Sequence, residues 1–233
     1  MRRYFTPTYL KASLYYFLGR SGHDPVFIVG SGRCGSSLLV DILKSNDNIK
    51  ISQQEWYGIF LKKLKDWYVR KLFLTNIIDF KAITKESLES WTSLDRFFIK
   101  VMFKYFASYS EKIYILKSPA ISLMLPYLEE LFPKAKYIHL YRNGYAVVLS
   151  LYKKEYFREK RYRDEFTPLE FKELAAQYWT DSLEGIQSFF KKINIKRYLE
   201  LSYECFNEEP VNYGEQLASF LVRWPIIHLI SLR

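Results

Sequence analysis

The residues with the clearest potential for chemistry lie at positions 25–45, where glycines separate two apolar segments. The apolar run at 26–29 predicts a short buried strand, and the apolar spacing after Ser37 predicts a helix. Gly30, Gly32 and Gly35 lie between them. A strand, a glycine loop and a helix together point backbone N–H groups at an anion. The segment therefore predicts a site for a phosphate-like group, and the alternative is a glycine-rich turn that binds nothing.

The spacing of Gly30, Gly35 and Ser37 is that of a Walker A loop, with one difference. Ser36 occupies the position at which a nucleotide hydrolase has lysine, and the nearest cation is Arg33 inside the loop. The loop is therefore suited to a phosphate-like group but not to the usual handling of a triphosphate by lysine and magnesium.

A second strand, turn and helix contains its own arginine. An apolar run at 137–141 predicts a strand that leads into Arg142 and then into a helix from about 145 to 154. Ser150 follows Arg142 by two helical turns. Lys117 comes just after another predicted strand, at the sheet edge where ligands bind in open α/β folds. The alternatives are a salt bridge for Arg142 and an ordinary helix-surface serine for Ser150.

Strands and helices alternate along the chain, which predicts an α/β fold with a mainly parallel sheet and helices on both faces. The order of the strands does not follow from the sequence. We expect a single domain over residues 1–233, with a helical insertion at 56–110 and a charged, mobile loop at 153–166. The predicted strands lie at 26–29, 49–51, 113–116, 137–141 and 197–203.

Two helices have distinct sequence signals. A short amphipathic helix is predicted at 8–19, with Leu10, Leu14, Phe17 and Leu18 on one side. A long helix begins at a Thr-Pro-Leu-Glu capping box at 167–170 and ends near residue 191.

The net charge of +10 predicts an anionic partner, either a nucleic acid, a membrane surface or a small polyanion. No apolar run is long enough for an ordinary transmembrane helix, and the N-terminus does not resemble a signal peptide. We interpret Cys34 and Cys205 as reduced thiols, which predicts a cytoplasmic location. Three scattered histidines and two distant cysteines do not predict a metal site.

Four segments together resemble the sulfotransferases that use 3′-phosphoadenosine 5′-phosphosulfate (PAPS). Residues 30–39 resemble their 5′-phosphosulfate loop, and residues 141–150 resemble their 3′-phosphate motif. Residues 117–119, Lys-Ser-Pro, resemble the Lys-Thr-Pro segment of the carbohydrate and tyrosylprotein branches. Residues 197–204 resemble a late Arg-Tyr-Glu-Asp strand. The matches come in family order and extend from residue 25 to about 222.

The resemblance implies a P-loop NTPase-like three-layer α/β/α fold with about five strands, PAPS as donor and adenosine 3′,5′-bisphosphate (PAP) as product, without a metal. It implies that Arg142 and Ser150 hold the 3′-phosphate. The implied 5′-phosphosulfate site comprises Gly30, Ser31, Gly32, Arg33, Cys34, Gly35, Ser36 and Ser37.

Sulfuryl transfer requires a cation at the leaving oxygen and a base for the acceptor hydroxyl. We expect Lys117 and Arg33 to supply the charge. Glu55, after the second strand, is the candidate base, and a surface carboxylate is the alternative. His139 is mid-strand and is better explained as structural, and His23 lies at the wrong edge of the sheet.

The resemblance favours a carbohydrate or glycan hydroxyl as acceptor. A P-loop kinase of small molecules and a non-catalytic protein that binds anions or nucleic acid are the alternatives. Two features depart from the family pattern: Cys34-Gly35-Ser36 replaces the frequent Ser-Gly-Thr, and the sequence after the last helix is short.

Overall fold

In a computed structural model of the protein, the described residues are 7–18, 24–52, 91–108, 112–117, 122 and 124–222. Glu55, His23 and the predicted helical segment at 58–73 lie outside these ranges. The helices are α1 (Pro7–Phe17), α2 (Ser36–Lys44), α3 (Ser93–Ser108), α4 (Leu125–Leu131), α5 (Gly144–Leu151), a π-helix (Tyr152–Tyr156), α6 (Lys160–Glu165), α7 (Pro168–Phe190), a 3-10 helix (Ile195–Arg197), α8 (Tyr203–Glu208) and α9 (Pro210–Val222).

Five strands form one sheet in the order β2-β3-β1-β4-β5, which the sequence did not predict. The strands are β1 (Val26–Val29), β2 (Ile49–Ile51), β3 (Ile113–Lys117), β4 (Lys136–Tyr141) and β5 (Tyr198–Ser202). β2 pairs with β3 in parallel, and so does β4 with β5, where His139 lies opposite Glu200. The predicted α/β fold with a mainly parallel five-stranded sheet is confirmed.

β1 and most of β3 are apolar, as expected for central parallel strands with both faces covered. All four residues of β1 are buried, and so are the first four of β3. The strand predicted at 26–29 has the observed bounds. The predicted strand at 113–116 extends by one residue, so that Lys117 is the last residue of β3 rather than the first one after it.

The chain forms two compact units, the first of which comprises Met1–Phe27 and Asp47–Lys136. Its core contains the rings of Phe27, Phe103 and Phe132, with centroids 5.1–6.4 Å apart. The Asp24 carboxylate, before β1, is 3.1 Å from the Lys104 ammonium nitrogen and accepts a hydrogen bond from the Lys134 backbone N–H. These contacts connect α3 and the turn before β4 to the start of β1.

α1 packs on α3 through the side that carries Ala12, opposite to its leucine face. Ala12 is fully buried against Val101, Met102 and Tyr105 of α3. The four residues that the sequence places on one side of this helix are exposed: Leu10, Leu14, Phe17 and Leu18. α3 instead receives the small Ala12, with Tyr15 and Tyr16 on either side of it.

The second unit comprises Ile28–Asn46 and Tyr137–Arg233, and α7 is its longest helix. The predicted capping box is present: the Thr167 hydroxyl accepts from the Glu170 N–H, and the Glu170 carboxylate accepts from the Thr167 N–H. The Thr167 N–H and the Thr167 hydroxyl both donate to the Glu170 carboxylate, and these two hydrogen bonds lower the pKa of Glu170. The buried face of α7 includes Phe171, Ala175 and Tyr178, as predicted.

Residues 153–166 are helical and not the mobile loop that their charge suggested. Tyr156 ends the π-helix, lies in the core and has its ring centroid 5.2 Å from that of Phe171. Tyr162 of α6 is buried against the same ring, at 5.3 Å. Aromatic side chains at these two positions hold the segment on α7, and Lys153, Lys154 and Arg158 are exposed.

Candidate active site

The loop between β1 and α2 adopts a backbone that requires glycine at two positions. Gly30 has φ 151°, and a Cβ there would lie 2.4 Å from the carbonyl oxygen of Leu140. Gly35 has φ 96°, and a Cβ there would lie 2.2 Å from the ring of Tyr203. Arg33, between them, has φ 68°, which costs a residue with a Cβ about 1–3 kcal/mol. Unfavourable backbone at a non-glycine residue is a feature of ligand-binding loops.

The N-terminus of α2 has no side-chain cap. Gly35 is the N-cap residue and has no side chain, whereas Asn143 caps α5 through its side-chain oxygen. The backbone N–H groups of Ser36 and Ser37 are in the first turn of α2, where no intrahelical carbonyl is available to them. An uncapped N-terminus with a partial positive charge is suited to an anion.

One N–H group of the loop is engaged by α7. The Gly32 N–H donates to the hydroxyl oxygen of Tyr178 over 2.6 Å. Burial raises the pKa of Tyr178 to about 12, so its hydroxyl stays protonated at neutral pH. Tyr178 therefore holds the loop at its second glycine.

Arg33, Arg142 and Ser150, predicted from separate motifs, lie together in the second unit. The Arg33 Nε donates to the Ser150 hydroxyl oxygen over 3.1 Å. The Arg142 Nη1 donates to the Arg33 carbonyl oxygen over 3.3 Å. Two arginine side chains thus contact the loop and the helix that follows Arg142, and both carry the positive charge that an anion requires.

The guanidinium group of Arg142 lies over the ring of Tyr203, with Cζ 4.3 Å from the ring centroid. Its Nε is buried, and it makes no hydrogen bond within the part of the chain that the structure describes. A buried donor without an acceptor costs about 1–3 kcal/mol, and more when it is charged. An anionic ligand next to Arg142 would supply that acceptor.

The turn that carries Arg142 is held through its backbone. The Trp179 indole N–H donates to the Arg142 carbonyl oxygen over 3.0 Å. The Asn143 N–H donates to the Glu204 carboxylate over 3.0 Å, and the Asn143 side chain caps α5. A Cβ on Gly144 would lie 3.1 Å from the Trp179 ring, so this glycine permits close packing. The position of Arg142 is therefore fixed by groups from α7 and from the start of α8.

The sequence also predicted roles for Lys117 and Glu55, and it weighed His139 as an alternative base. Lys117 ends β3 in the first unit. Glu55 lies outside the described residues. His139 is 1% exposed in β4, and its Nδ1 is 2.9 Å from the Glu200 carboxylate, which agrees with its interpretation as structural.

Sequence reasoning did not assign a function to Tyr178, Trp179, Tyr203 or Glu204. Tyr178 was predicted only as part of a buried helix face, and Tyr203-Glu204 only as part of a late strand motif. A buried tyrosine hydroxyl or indole N–H requires a polar partner, which is the signal that was available for the two α7 residues.

Among the described residues, no three His, Cys, Asp or Glu side chains are close enough together to hold a metal ion. A search of the same residues finds no helix with the length and hydropathy needed to cross a membrane. Cys34 and Cys205 are thiols, and neither forms a disulfide.

The chain has an α/β fold with a five-stranded sheet, and Arg33 and Arg142 lie at the glycine loop that follows β1. A model of the sulfotransferase family matches residues 25–224, and the chain belongs to that family. The match confirms the resemblance to sulfotransferases, whereas assignment to the carbohydrate and tyrosylprotein branch stays a prediction.

Two curated relatives share 28% identity with the chain. The nodulation protein NoeE of Sinorhizobium fredii matches over 126 residues, which are 54% of this chain and 30% of NoeE. The omega-hydroxy-beta-dihydromenaquinone-9 sulfotransferase Stf3 of Mycobacterium bovis matches over 137 residues, which are 57% of this chain and 34% of Stf3. The alignments therefore span about a third of the length of these relatives.

Solved sulfotransferase structures have the same fold. The sulfotransferase domain from the curacin biosynthetic pathway aligns with TM-score 0.60 and 21% identity, over 88% of this chain and 75% of the domain. Sulfotransferase STF9 of Mycobacterium avium aligns with TM-score 0.61 and 14% identity, over 91% of this chain and 68% of STF9. At such identities the alignments support the fold.

Proposed function

We propose that the chain transfers a sulfuryl group from PAPS to a hydroxyl acceptor, and that Arg142 and Ser150 bind the 3′-phosphate of the donor. The observation that supports this most strongly is the buried Arg142 Nε, which has no hydrogen-bond acceptor among the described residues. Arg142 is held over Tyr203 and beside Arg33, so the guanidinium is already positioned for an anion.

The N-terminus of α2 is proposed to bind the 5′-phosphosulfate. Its first N–H groups, on Ser36 and Ser37, carry no side-chain cap, and the Ser37 side chain is exposed. Arg33 adds a positive charge inside the same loop. The donor carries a negative group at each end, and the second unit offers a basic or N–H-rich site for each.

In the proposed reaction, the acceptor oxygen attacks sulfur while the bond from sulfur to the bridging oxygen breaks. The acceptor loses its proton to a base, for which Glu55 stays the candidate. Negative charge develops on the bridging oxygen, and Arg33 and Lys117 are the cations proposed to stabilise it. Cationic side chains replace a metal in this scheme. Positioning and charge stabilisation then account for most of the catalysis, as in phosphoryl transfer.

The acceptor is proposed to be a carbohydrate or glycan hydroxyl, which the Lys117-Ser-Pro segment favours. Stf3, whose name refers to a menaquinone derivative, makes lipid hydroxyls the second class to test. A cytoplasmic location is also proposed, on the basis of the thiols Cys34 and Cys205. A transfer assay over sugar and lipid alcohols distinguishes the two acceptor classes.

Thermal unfolding with PAP tests the proposed donor site. At a PAP concentration of a hundred times Kd we expect a stabilisation of about 2.7 kcal/mol, which raises Tm by about 5–10 °C. Arg142→Ala should lose most of this shift. Arg158→Ala is the matched control, because Arg158 is an exposed arginine of the same unit that pairs only with Glu155 and Glu159 in the described structure.

The outcome that contradicts the proposal is an intact protein whose Tm does not respond to PAP. A Tm shift with magnesium ATP but not with PAP would favour the kinase alternative. Glu55→Gln should abolish sulfuryl transfer and keep the PAP shift, and retained transfer would assign the base to another residue.

A further inference from the structure

The outward side of α1 presents four large apolar side chains to solvent. Leu10 and Leu14 are each 57% exposed, Phe17 is 74% exposed and Leu18 is 58% exposed. Their spacing of four, three and one residues places them on one face of the helix. A surface helix ordinarily has polar residues on its outward side, so this face is the reverse of the usual arrangement.

The exposure of this face does not result from a detached helix. Ala12 is fully buried against α3, and the Tyr15 ring lies edge-on to Tyr105 with centroids 5.5 Å apart. Tyr16 makes a similar contact with Phe97 at 5.8 Å. The inner side of α1 is therefore fixed on α3, and the leucine face is held outward by that packing.

The apolar surface continues from α1 onto α3. The Phe17 and Phe97 ring centroids are 6.0 Å apart. Leu94 lies one helical turn before Phe97 on α3 and is 45% exposed. Contiguous apolar surface of this kind indicates a protein or membrane contact, whereas single exposed apolar residues need no explanation.

The charged residues in the N-terminal sequence are all positive. Residues 1–20 contain Arg2, Arg3, Lys11 and Arg20 and no aspartate or glutamate. Lys11 is exposed on α1 next to Leu10. Basic side chains beside an outward face of leucine and phenylalanine are the pattern of a helix that lies in the plane of an anionic membrane surface.

We propose that the first unit binds an anionic lipid surface through α1, with Leu10, Leu14, Phe17 and Leu18 inserted at the boundary between headgroups and acyl chains. A second copy of the chain fits this face less well, because a symmetric dimer would bring two positively charged segments together. The proposal is independent of the sulfuryl-transfer reaction, since it concerns only α1 and α3.

Vesicle co-sedimentation of the full chain tests the proposal. We expect binding to vesicles of phosphatidylcholine with phosphatidylglycerol, and weaker binding to phosphatidylcholine alone or at high salt. The double variant Leu14→Glu/Phe17→Glu should lower the partition coefficient at least roughly tenfold. The matched control is Ile195→Glu/Val211→Glu, which changes residues that are 72% and 62% exposed in the second unit and should bind like the unchanged protein.

The results of the vesicle assay and of its controls decide whether α1 binds lipid. Because the substituted side chains are exposed, both double variants should keep the Tm of the unchanged protein, which verifies that they fold. Lys11→Glu should weaken binding to the anionic vesicles more than binding to the neutral ones. Failure of the unchanged protein to bind anionic vesicles overturns the proposal. A concentration-dependent dimer in light scattering that Leu14→Glu/Phe17→Glu dissociates would assign the face to self-association instead.

Discussion

Replacement of Gly35 by alanine tests how the loop and Arg142 are connected. The added Cβ would lie 2.2 Å from Cδ2 and 2.4 Å from Cε2 of Tyr203, and the backbone would keep φ 96°. The Tyr203 ring would have to move to relieve this clash. The Arg142 guanidinium is stacked on that ring, with Cζ 4.3 Å from the ring centroid. Gly35→Ala should therefore disturb the Arg142 site through Tyr203, although no hydrogen bond joins residue 35 to Arg142 in the described structure.

The expected loss of stability in Gly35→Ala has two parts. Positive φ at a residue with a Cβ costs about 1–3 kcal/mol. Forcing the Tyr203 ring away from a packed position costs about another 1–3 kcal/mol. Gly35→Ala should thus lower the free energy of unfolding by about 2–6 kcal/mol, out of a total of about 5–15 kcal/mol. Gly185→Ala is the control, since Gly185 lies inside α7 with open space around a Cβ. This variant should have a free energy of unfolding higher by about 0.5–1 kcal/mol.

Urea unfolding of a double-mutant cycle separates the two parts. In a Tyr203→Ala background the clash is absent and only the backbone strain remains. The cost of Gly35→Ala should then be smaller by about 1–3 kcal/mol, which is the interaction energy of the pair. PAP should raise the Tm of Gly35→Ala less than that of Gly185→Ala. An equal cost of Gly35→Ala in both backgrounds would refute the reasoning.

Two further predictions concern residues that hold the site in place. Since burial raises the pKa of Tyr178 from 10 to about 12, the protonated phenol stabilises the fold below pH 10, and this contribution is lost as the pH rises from about 10 to about 12. Urea unfolding at pH 11 should show an alkaline loss about 1 kcal/mol larger for the unchanged protein than for Tyr178→Phe, and equal losses would contradict it. Glu204→Ala leaves the Asn143 N–H without its acceptor, so it should cost about 1–3 kcal/mol and reduce the Tm shift by PAP, whereas Glu204→Gln keeps an acceptor oxygen and should cost less.

The loop was predictable from the sequence because its requirements are local. A strand of four apolar residues, two glycines at fixed spacing and a periodic helix each have a signal within about ten residues. The structure places Gly30 and Gly35 at positive φ, with neighbours that exclude a Cβ. The same local logic predicted the capping box at Thr167, which forms as expected.

The groups that hold the loop were not predictable because they are distant in the sequence. Tyr178 is 146 residues from Gly32. No periodicity within α7 distinguishes a tyrosine whose hydroxyl binds the loop from one that is only part of the core. The same holds for Trp179, whose indole N–H meets the Arg142 carbonyl oxygen 37 residues away. The strand order was not predictable for the same reason, since the apolar residues of a strand do not specify which strands lie next to it.

The packing of α1 shows a different limit of prediction from sequence. Periodicity identifies which residues share a helix face but not which face meets another element. The rule that apolar faces are buried holds for most helices, and it fails here because Ala12, with aromatic residues beside it, makes the close contact with α3. A failure of this rule is itself informative, since apolar surface that packing leaves exposed is where a partner binds.

The contacts within the second unit also determine how binding at the two proposed anion sites has to be measured. Arg33 belongs to the loop, yet its side chain contacts Ser150 and its carbonyl oxygen accepts from Arg142. Tyr203 lies against both Gly35 and Arg142. Removal of Arg142 therefore changes the loop as well as the proposed 3′-phosphate site, and weaker PAP binding alone would not assign the loss to one phosphate. Comparison of adenosine 5′-phosphate with adenosine 3′-phosphate separates the two, because a residue that binds only the 3′-phosphate leaves the affinity for the 5′-phosphate unchanged.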